Sequence, residues 1–300
     1  MGRASRRDLL FLLVILLPLV VLVAALIYYP ALDTFLTSLT NENLRIRRPP
    51  KFIGWSNYAK LLGQSEFWTV TLRSLLVVAL TLPLELGVAL GLALLLTEVF
   101  PGRSFVRTLV LLPWMLPPIV NGFLWGWLLN GEYGALNGLL YQLGWIDEYV
   151  TWLRNPDTQI LWVAVVQTWT RFAFPTIILL AGLQSIPTDL LDAAKVDGAS
   201  AWQNFRHVVF PLLLPSFAVA LTIEFIASFQ IFDVIWTLTA GGSAGGAINP
   251  FTKTLMLYNY ELVFRDLRIG LGAALSYLIL FLSLGVAIVF VTRLYNQSVR

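Results

Sequence analysis

The sequence predicts an all-α integral membrane protein with six transmembrane helices, and three observations carry that expectation. Apolar residues make up 58% of the 300-residue chain and charged residues only 12%, about half the roughly 25% usual in a soluble domain. Six apolar runs, near 9-30, 70-96, 105-129, 160-183, 212-239 and 269-292, are long enough at about 1.5 Å per residue to cross a hydrocarbon core of about 30 Å. Between the fourth and fifth runs, residues 186-211 form a compact polar module among apolar segments. The chain reads as one transmembrane domain over 1-300. A spanning helix closes its own backbone hydrogen bonds, so Pro83, Pro113, Pro117, Pro118 and Pro175 are tolerable as kinks or packing breaks.

The first run follows Arg3, Arg6 and Arg7. It exceeds the 7–15-residue apolar core of a cleavable leader, so an uncleaved first span is expected. Loop 31-68 carries Phe52-Ile53-Gly54-Trp55-Ser56-Asn57-Tyr58 before Leu61-Leu62, aromatics suited to a membrane interface or an amphipathic surface helix. The second span contains Glu85. In the third, Trp114, Asn121 and Trp125 recur at seven and four residues, near one face of a helix. An amide and two indoles suit a sugar; they also suit a helix contact and space filling. Loop 130-159 places Gly131, Glu132, Tyr133, Gly134, Asn137 and Gly138 before Tyr141, Trp145 and Trp152, the material of a folded cap or of an interfacial belt.

Charged side chains inside a bilayer are costly unless they meet a partner or a wet cavity, so they point to a path. The fourth span offers Gln167 and Arg171 four residues apart, with Thr170 adjacent. Arg171 has two readings: a buried bridge to Glu85, Glu224 or Asp233, or a donor to a substrate hydroxyl or phosphate. The fifth span carries Phe225, Phe229, Phe232 and Trp236 at spacings of four, three and four, with Glu224, Ser228, Gln230 and Asp233. Aromatic faces and polar groups together suit a sugar; an aromatic stripe also packs a core. Glu224 and Asp233 are nine residues apart, about 13 Å along one helix, and no nucleophile or metal constellation accompanies them, so glycosidase chemistry is rejected. After this span Gly241 to Gly246 form a flexible run.

There is no cysteine and one histidine, His207, which excludes disulfides, thiolate metal sites and multi-histidine metal sites; His207 itself reads as a surface or interface residue. The basic residues Arg45 to Lys51 lie beside a span, where they meet lipid head groups or water rather than nucleic acid. No G-x-x-x-x-G-K-[ST] phosphate loop occurs, so ATP hydrolysis does not reside in this chain.

The polar module is Asp192-Ala193-Ala194-Lys195-Val196-Asp197-Gly198, followed after nine residues by Val208-Val209-Phe210-Pro211. Thr188 or Asp189 is placed to cap a short helix, Gly198 to end it left-handed, and Ser200 with Gln203 to open a second helix through a capping box. Ala193 and Ala194 leave a small-residue surface for close packing, flanked by charges. The module resembles the signature E-A-A-x3-G-x9-I-x-L-P of the membrane subunits of binding-protein-dependent ABC importers, with Asp192 in place of Glu, Val208 of Ile and Phe210 of Leu. Gly54-x-x-Asn57-Tyr58-x-x-Leu61, and the stretch from Phe232-Asp233 through Thr239 to Gly241-Gly242, are similar to segments of sugar-importer permeases of the six-span glycerol-phosphate and trehalose type.

The resemblance implies a permease subunit importing a disaccharide, oligosaccharide or polyol derivative such as glycerol phosphate. It implies a cytoplasmic coupling loop at 186-211, with Asp192, Ala193, Ala194, Asp197, Gly198 and Pro211 docking into an ATPase dimer that binds ATP and magnesium. A second permease and an extracytoplasmic substrate-binding protein complete the machine. Loop charges are nearly balanced, Arg3, Arg6, Arg7, Arg103, Arg107, Lys195 and Arg206 against Arg45, Arg47, Arg48, Lys51, Lys60 and Arg154, so orientation also comes from the resemblance: both termini cytoplasmic, in the inner membrane of a prokaryote. The competing reading is an ion-coupled secondary transporter using Glu85, Glu224 and Asp233, which needs no ATPase.

Overall fold

A computed structural model describes residues 6–46, 48–240 and 249–298; Arg3, Arg47 and the glycine run at 241–246 lie outside them. Helices are the regular structure of the described residues, with one antiparallel bridge between Thr40 and Phe52. In chain order the helices are α1 (Arg6–Val23), α2 (Tyr29–Ser38), α3 (Ser56–Leu62), α4 (Ser65–Thr97), α5 (Arg103–Met115), α6 (Pro118–Leu128), α7 (Ala135–Gln142), α8 (Pro156–Arg171), α9 (Ala173–Gln184), α10 (Thr188–Val196), α11 (Ala201–Asn204), α12 (Phe210–Phe229), α13 (Asp233–Ile235), α14 (Leu255–Tyr260) and α15 (Ile269–Ser298). Four π-helical turns adjoin them, at Ala24–Tyr28, Phe205–Val209, Trp236–Ala240 and Glu261–Arg265.

The all-helical membrane class holds. Val14–Ser38, Ser65–Thr97, Ala201–Phe229 and Ile269–Phe290 are long and apolar enough to cross a membrane, giving 4 spans, or up to 6 if each of two bent pairs is one span. The first bend, 95° between α5 and α6, falls at Leu116-Pro117-Pro118. A residue before proline is driven out of the helical region, and Leu116 and Pro117 are accordingly extended, with ψ of 136° and 138°. The second, 53° between α8 and α9, lies just before Pro175, which cannot donate back to Arg171. The apolar run at 212-239 is likewise interrupted: α12 ends at Phe229 and helix resumes at Asp233. The 13 Å separation expected for Glu224 and Asp233 presumed an unbroken helix and does not apply.

The chain divides into two compact units, Met1–Phe67 with Asn259–Leu280, and Trp68–Tyr258 with Phe281–Arg300. In the first, apolar side chains from Val14 to Leu36 are largely exposed, as suits a span bathed in hydrocarbon. The loop after it is stapled by α3. Gly54 adopts φ of +57°, the Asn57 amide donates to the carbonyls of Ser38 and Thr40 at 2.8 and 2.7 Å, Tyr58 shares a 2.7 Å hydrogen bond with Ser38, and Leu61 is buried. The Gly54-x-x-Asn57-Tyr58-x-x-Leu61 pattern is thus a folding element in which each residue has a mechanical task. In the same unit Arg45 donates to the Arg265 carbonyl at 2.7 Å and lies 3.7 Å from Asp266.

In the second unit α9 packs along α12, where a Cβ at Gly182 would collide with Ser216 and Leu213. Helix α6 lies equally close to the Trp236–Ala240 turn, for a Cβ at Gly122 would strike Thr237. Such close backbone approach is how membrane helices gain packing without a hydrophobic drive. Ala89 and Ala93 of α4 join Leu179, Leu183, Ile186 and Leu213 in one buried cluster; Val77, Val163, Val166, Val234, Ile235 and Leu238 form another.

Candidate functional site

Two regions of the second unit carry function-bearing chemistry. The first is the polar module. Ser200 accepts from the Gln203 amide and the Gln203 side chain accepts from the Ser200 amide, so the capping box forms. Gly198 sits at φ of +76°. The expected cap at Thr188 or Asp189 is corrected: Pro187, with ψ of 128°, holds the cap position, Thr188 is already inside the helix, and no side chain caps it. Asp192, Ala193, Asp197, Gly198 and Pro211 are exposed and Ala194 is half-buried. Lys195 bridges to Asp192 at 2.9 Å. Val196 and Trp202, unremarked in the sequence as docking residues, are 87% and 65% exposed, which makes the tip of the module apolar as well as charged. The second helix is not separate: α11 runs through the Phe205–Val209 turn into α12 without a break. His207 is exposed on that turn, its Nδ1 3.0 Å from the Gln203 carbonyl.

The second region is a buried ionic cluster. Arg171, the last residue of α8, donates through Nε to Glu224 Oε2 of α12 at 2.7 Å. One helical turn on, Ser228 donates to Glu85 Oε2 of α4 at 3.2 Å. Both carboxylates are fully buried, and Glu224 Oε1 lacks a hydrogen-bond partner among the described residues. Of Glu85, Glu224 and Asp233, the three carboxylates expected as partners for Arg171, packing selects Glu224. The Glu85–Ser228 contact is not foreshadowed in the sequence, since 143 residues separate the two and a serine in an apolar helix gives no signal of its partner.

Beside Arg171 a small cleft of about 110 Å³ gathers Gln167, Thr170, Gln230, Phe232 and Asp233. Liquid water takes about 30 Å³ per molecule, so this volume holds a few waters or one substrate hydroxyl and its neighbours. Of the expected path residues it collects Gln167, Arg171, Gln230, Phe232 and Asp233. Glu224 joins through the ion pair, and Trp236 stacks on Phe232 with centroids 5.8 Å apart. Phe229 is buried and stacked on Phe225 instead, so the aromatic stripe separates into two pairs at the break after α12.

The third-span trio is separated as well. Trp114 lies on α5, half exposed and 5.9 Å from the Phe174 ring, whereas Asn121 and Trp125 lie on α6 beyond the 95° bend. Spacings of seven and four describe one face only of a continuous helix. Asn121 is buried and donates to the carbonyls of Pro113 and Leu116 at 2.9 and 3.4 Å, groups that the bend leaves without helical partners. Its amide braces the bend. Trp125 packs against Trp162 and Trp169.

The loop 130–159 folds as a cap around Asn137. This fully buried side chain donates to the carbonyls of Asn130 and Val150 and accepts from the Val150 amide and Trp152 Nε1, all at 2.9–3.1 Å. The cap roofs a cavity of about 570 Å³ lined by Asn130, Glu132, Tyr133, Arg154, Gln159 and Asn249 among others, within the range of small-molecule sites.

Apolar spans, a buried ionic cluster beside a polar cleft and an exposed helix pair define a multi-span membrane protein with an exposed polar module. Residues 87–300 match the model of the binding-protein-dependent transport system inner membrane components, and the chain belongs to that family. It is 36% identical to the trehalose/maltose transport system permease protein MalF of Thermococcus litoralis, covering 92% of this chain and 90% of that one. It is 33% identical to the sulfoquinovosyl glycerol transport system permease protein SmoG of Agrobacterium fabrum, covering 94% and 90%, and 32% identical to the trehalose transport system permease protein SugA of Mycobacterium tuberculosis, covering 97% and 90%. A bacterial alginate ABC transporter, solved in complex with an alginate pentasaccharide-bound periplasmic protein, shares the fold, with a TM-score of 0.79 at 23% identity over 95% of this chain and 93% of that one.

Proposed function

We propose that the chain is the permease subunit of an ATP-driven importer of a carbohydrate, either a disaccharide or oligosaccharide or a polyol derivative. The observation that carries this reading is the exposed module at 188–211, a small-residue and charged helix pair whose second helix is continuous with α12. Such a lever suits transmission of an external motion into the helix that bears Glu224. The ATPase dimer, with its ATP and magnesium, docks there through Asp192, Ala193, Ala194, Asp197, Gly198 and Pro211. The module and both termini then lie in the cytoplasm, a second permease completes the path, and a binding protein delivers substrate on the side of the cap. Relatives named for trehalose, maltose and sulfoquinovosyl glycerol transport support a hydroxyl-rich cargo. Gln167, Arg171, Gln230 and Asp233 offer amide, guanidinium and carboxylate groups to hydroxyls, with the Phe232 and Trp236 rings beside them. Direction comes from differential affinity of the inward- and outward-facing states, and no bond chemistry is required of this chain.

The test is uptake by the complex reconstituted with its partner subunits, comparing the native chain with Gly198→Asp and Asp192→Lys. A tenfold or larger loss of uptake is expected for each on the order of 1.4 kcal/mol or more of lost coupling. Undiminished uptake in both variants rules the docking mechanism out.

A further inference from the structure

A basic site lies outside both regions described above. Helix α4 ends at Thr97, and the Leu96 carbonyl near its end accepts from Arg103 Nε at 2.7 Å and, more distantly, from Arg107 Nη2 at 3.5 Å. The two arginines stand four residues apart on α5 and so share a face. Arg107 Nε is buried without a hydrogen-bond partner, and among the described residues neither arginine pairs with a carboxylate. Two guanidinium groups therefore converge on one neutral oxygen with their charge uncompensated.

Arg107 also forms one wall of a cleft of about 200 Å³ between α4, α5 and α9, whose other walls are chiefly aliphatic, Leu96, Val110, Leu111, Ile177 and Leu180, with Gln184 at the end of α9. The Thr176 hydroxyl in the same wall is already committed to the Phe172 carbonyl at 2.7 Å. Ile177 of this lining is 44% exposed, so the cleft opens outward along an apolar wall. A soluble anion would satisfy the arginines and leave the aliphatic wall unexplained. An apolar ligand would fill the wall and leave the guanidinium groups bare. An amphiphile with an anionic head and a hydrocarbon tail satisfies both, and basic pockets between transmembrane helices commonly take such head groups.

We propose that this cleft binds one anionic phospholipid, its phosphate held by Arg107 and Arg103 and one acyl chain lying along Leu111, Ile177 and Leu180. The phosphate supplies the acceptor that Arg107 Nε lacks, in the planar geometry guanidinium favours. Leu180 of the cleft packs with both the Leu183 and the Val110 clusters and precedes Thr188 of the exposed module by eight residues, which on the function proposed above places the lipid near the element that carries coupling.

The test is native mass spectrometry of the full chain in mild detergent, titrated with phosphatidylglycerol or phosphatidylcholine of matched chains, with inorganic phosphate as competitor. The native chain is expected to retain one phosphatidylglycerol about ten-fold more tightly than phosphatidylcholine. Arg107→Gln should abolish that preference. Ile177→Trp, which keeps both arginines and fills the partly exposed wall, should weaken both lipids, and it decides the matter if Arg107→Gln fails to fold. A preference that survives in the folded variants overturns the site. Displacement of phosphatidylglycerol by millimolar phosphate also overturns it, leaving a site for a free anion only.

Discussion

Arg171 and Glu224 are 53 residues apart in sequence and 2.7 Å apart in space. Each was visible in the sequence as a costly charge in an apolar run, and the need for a partner was visible too. The choice of partner was not, because three carboxylates met the requirement and only helix packing ranks them. Removing one member of a buried pair strands the other. We expect Arg171→Leu to destabilise the chain by about 3 kcal/mol, the low end of the usual 3–5 kcal/mol because Arg171 is a quarter exposed. The paired change Arg171→Leu with Glu224→Leu should recover most of that loss. Chemical denaturation in detergent reads both; additive losses in the double variant would show that the pair is not coupled. Asn121 teaches the complementary lesson. Its amide had two readings, a sugar or a helix contact, and the freed carbonyls at Pro113 and Leu116 take it.

At the scale of elements, apolar length was legible and continuity was not. The 105-129 run is two helices at 95°, the 160-183 run is two at 53°, and the 212-239 run stops at Phe229. Prolines marked the first two places in advance; whether each kinks or breaks its helix depends on what braces the freed backbone. The exposed module at 188–211 shows the reverse case. Its capping box and left-handed glycine were read from local chemistry and form as read, because a cap needs only residues three apart. The cap at 130–159 was recognisable by its glycines and aromatics, yet the centrality of Asn137 came from contacts up to fifteen residues away. Asn137→Ala removes a side chain that satisfies four bonds and leaves the Val150 amide and the Trp152 indole without that acceptor. A loss of about 2 kcal/mol in local stability is expected. Hydrogen exchange should then rise across 130–159 while the amides of α4 and α12 keep their protection; a uniform rise would place Asn137 in the global core instead.

For the whole molecule, the proposed importer and an ion-coupled transporter differ in their source of energy. Glu85 and Glu224 are buried as coupling groups would be, but one is tied to Ser228 and the other to Arg171. In sealed vesicles bearing the complete complex, uptake should stop when internal ATP is removed and persist when ionophores collapse the ion gradients. The opposite pattern would assign the transport to ion coupling. By itself the sequence determined the class: how many apolar runs exist, that a polar module interrupts them, and that no phosphate loop lies in the chain. Those are properties of composition and short-range spacing, and they survive any folding of the helices against one another. Only the tertiary structure decided which carboxylate Arg171 meets, where the spans bend, and which polar residues share one cleft. These depend on contacts between helices far apart in the chain, where close packing rather than periodicity selects the partner.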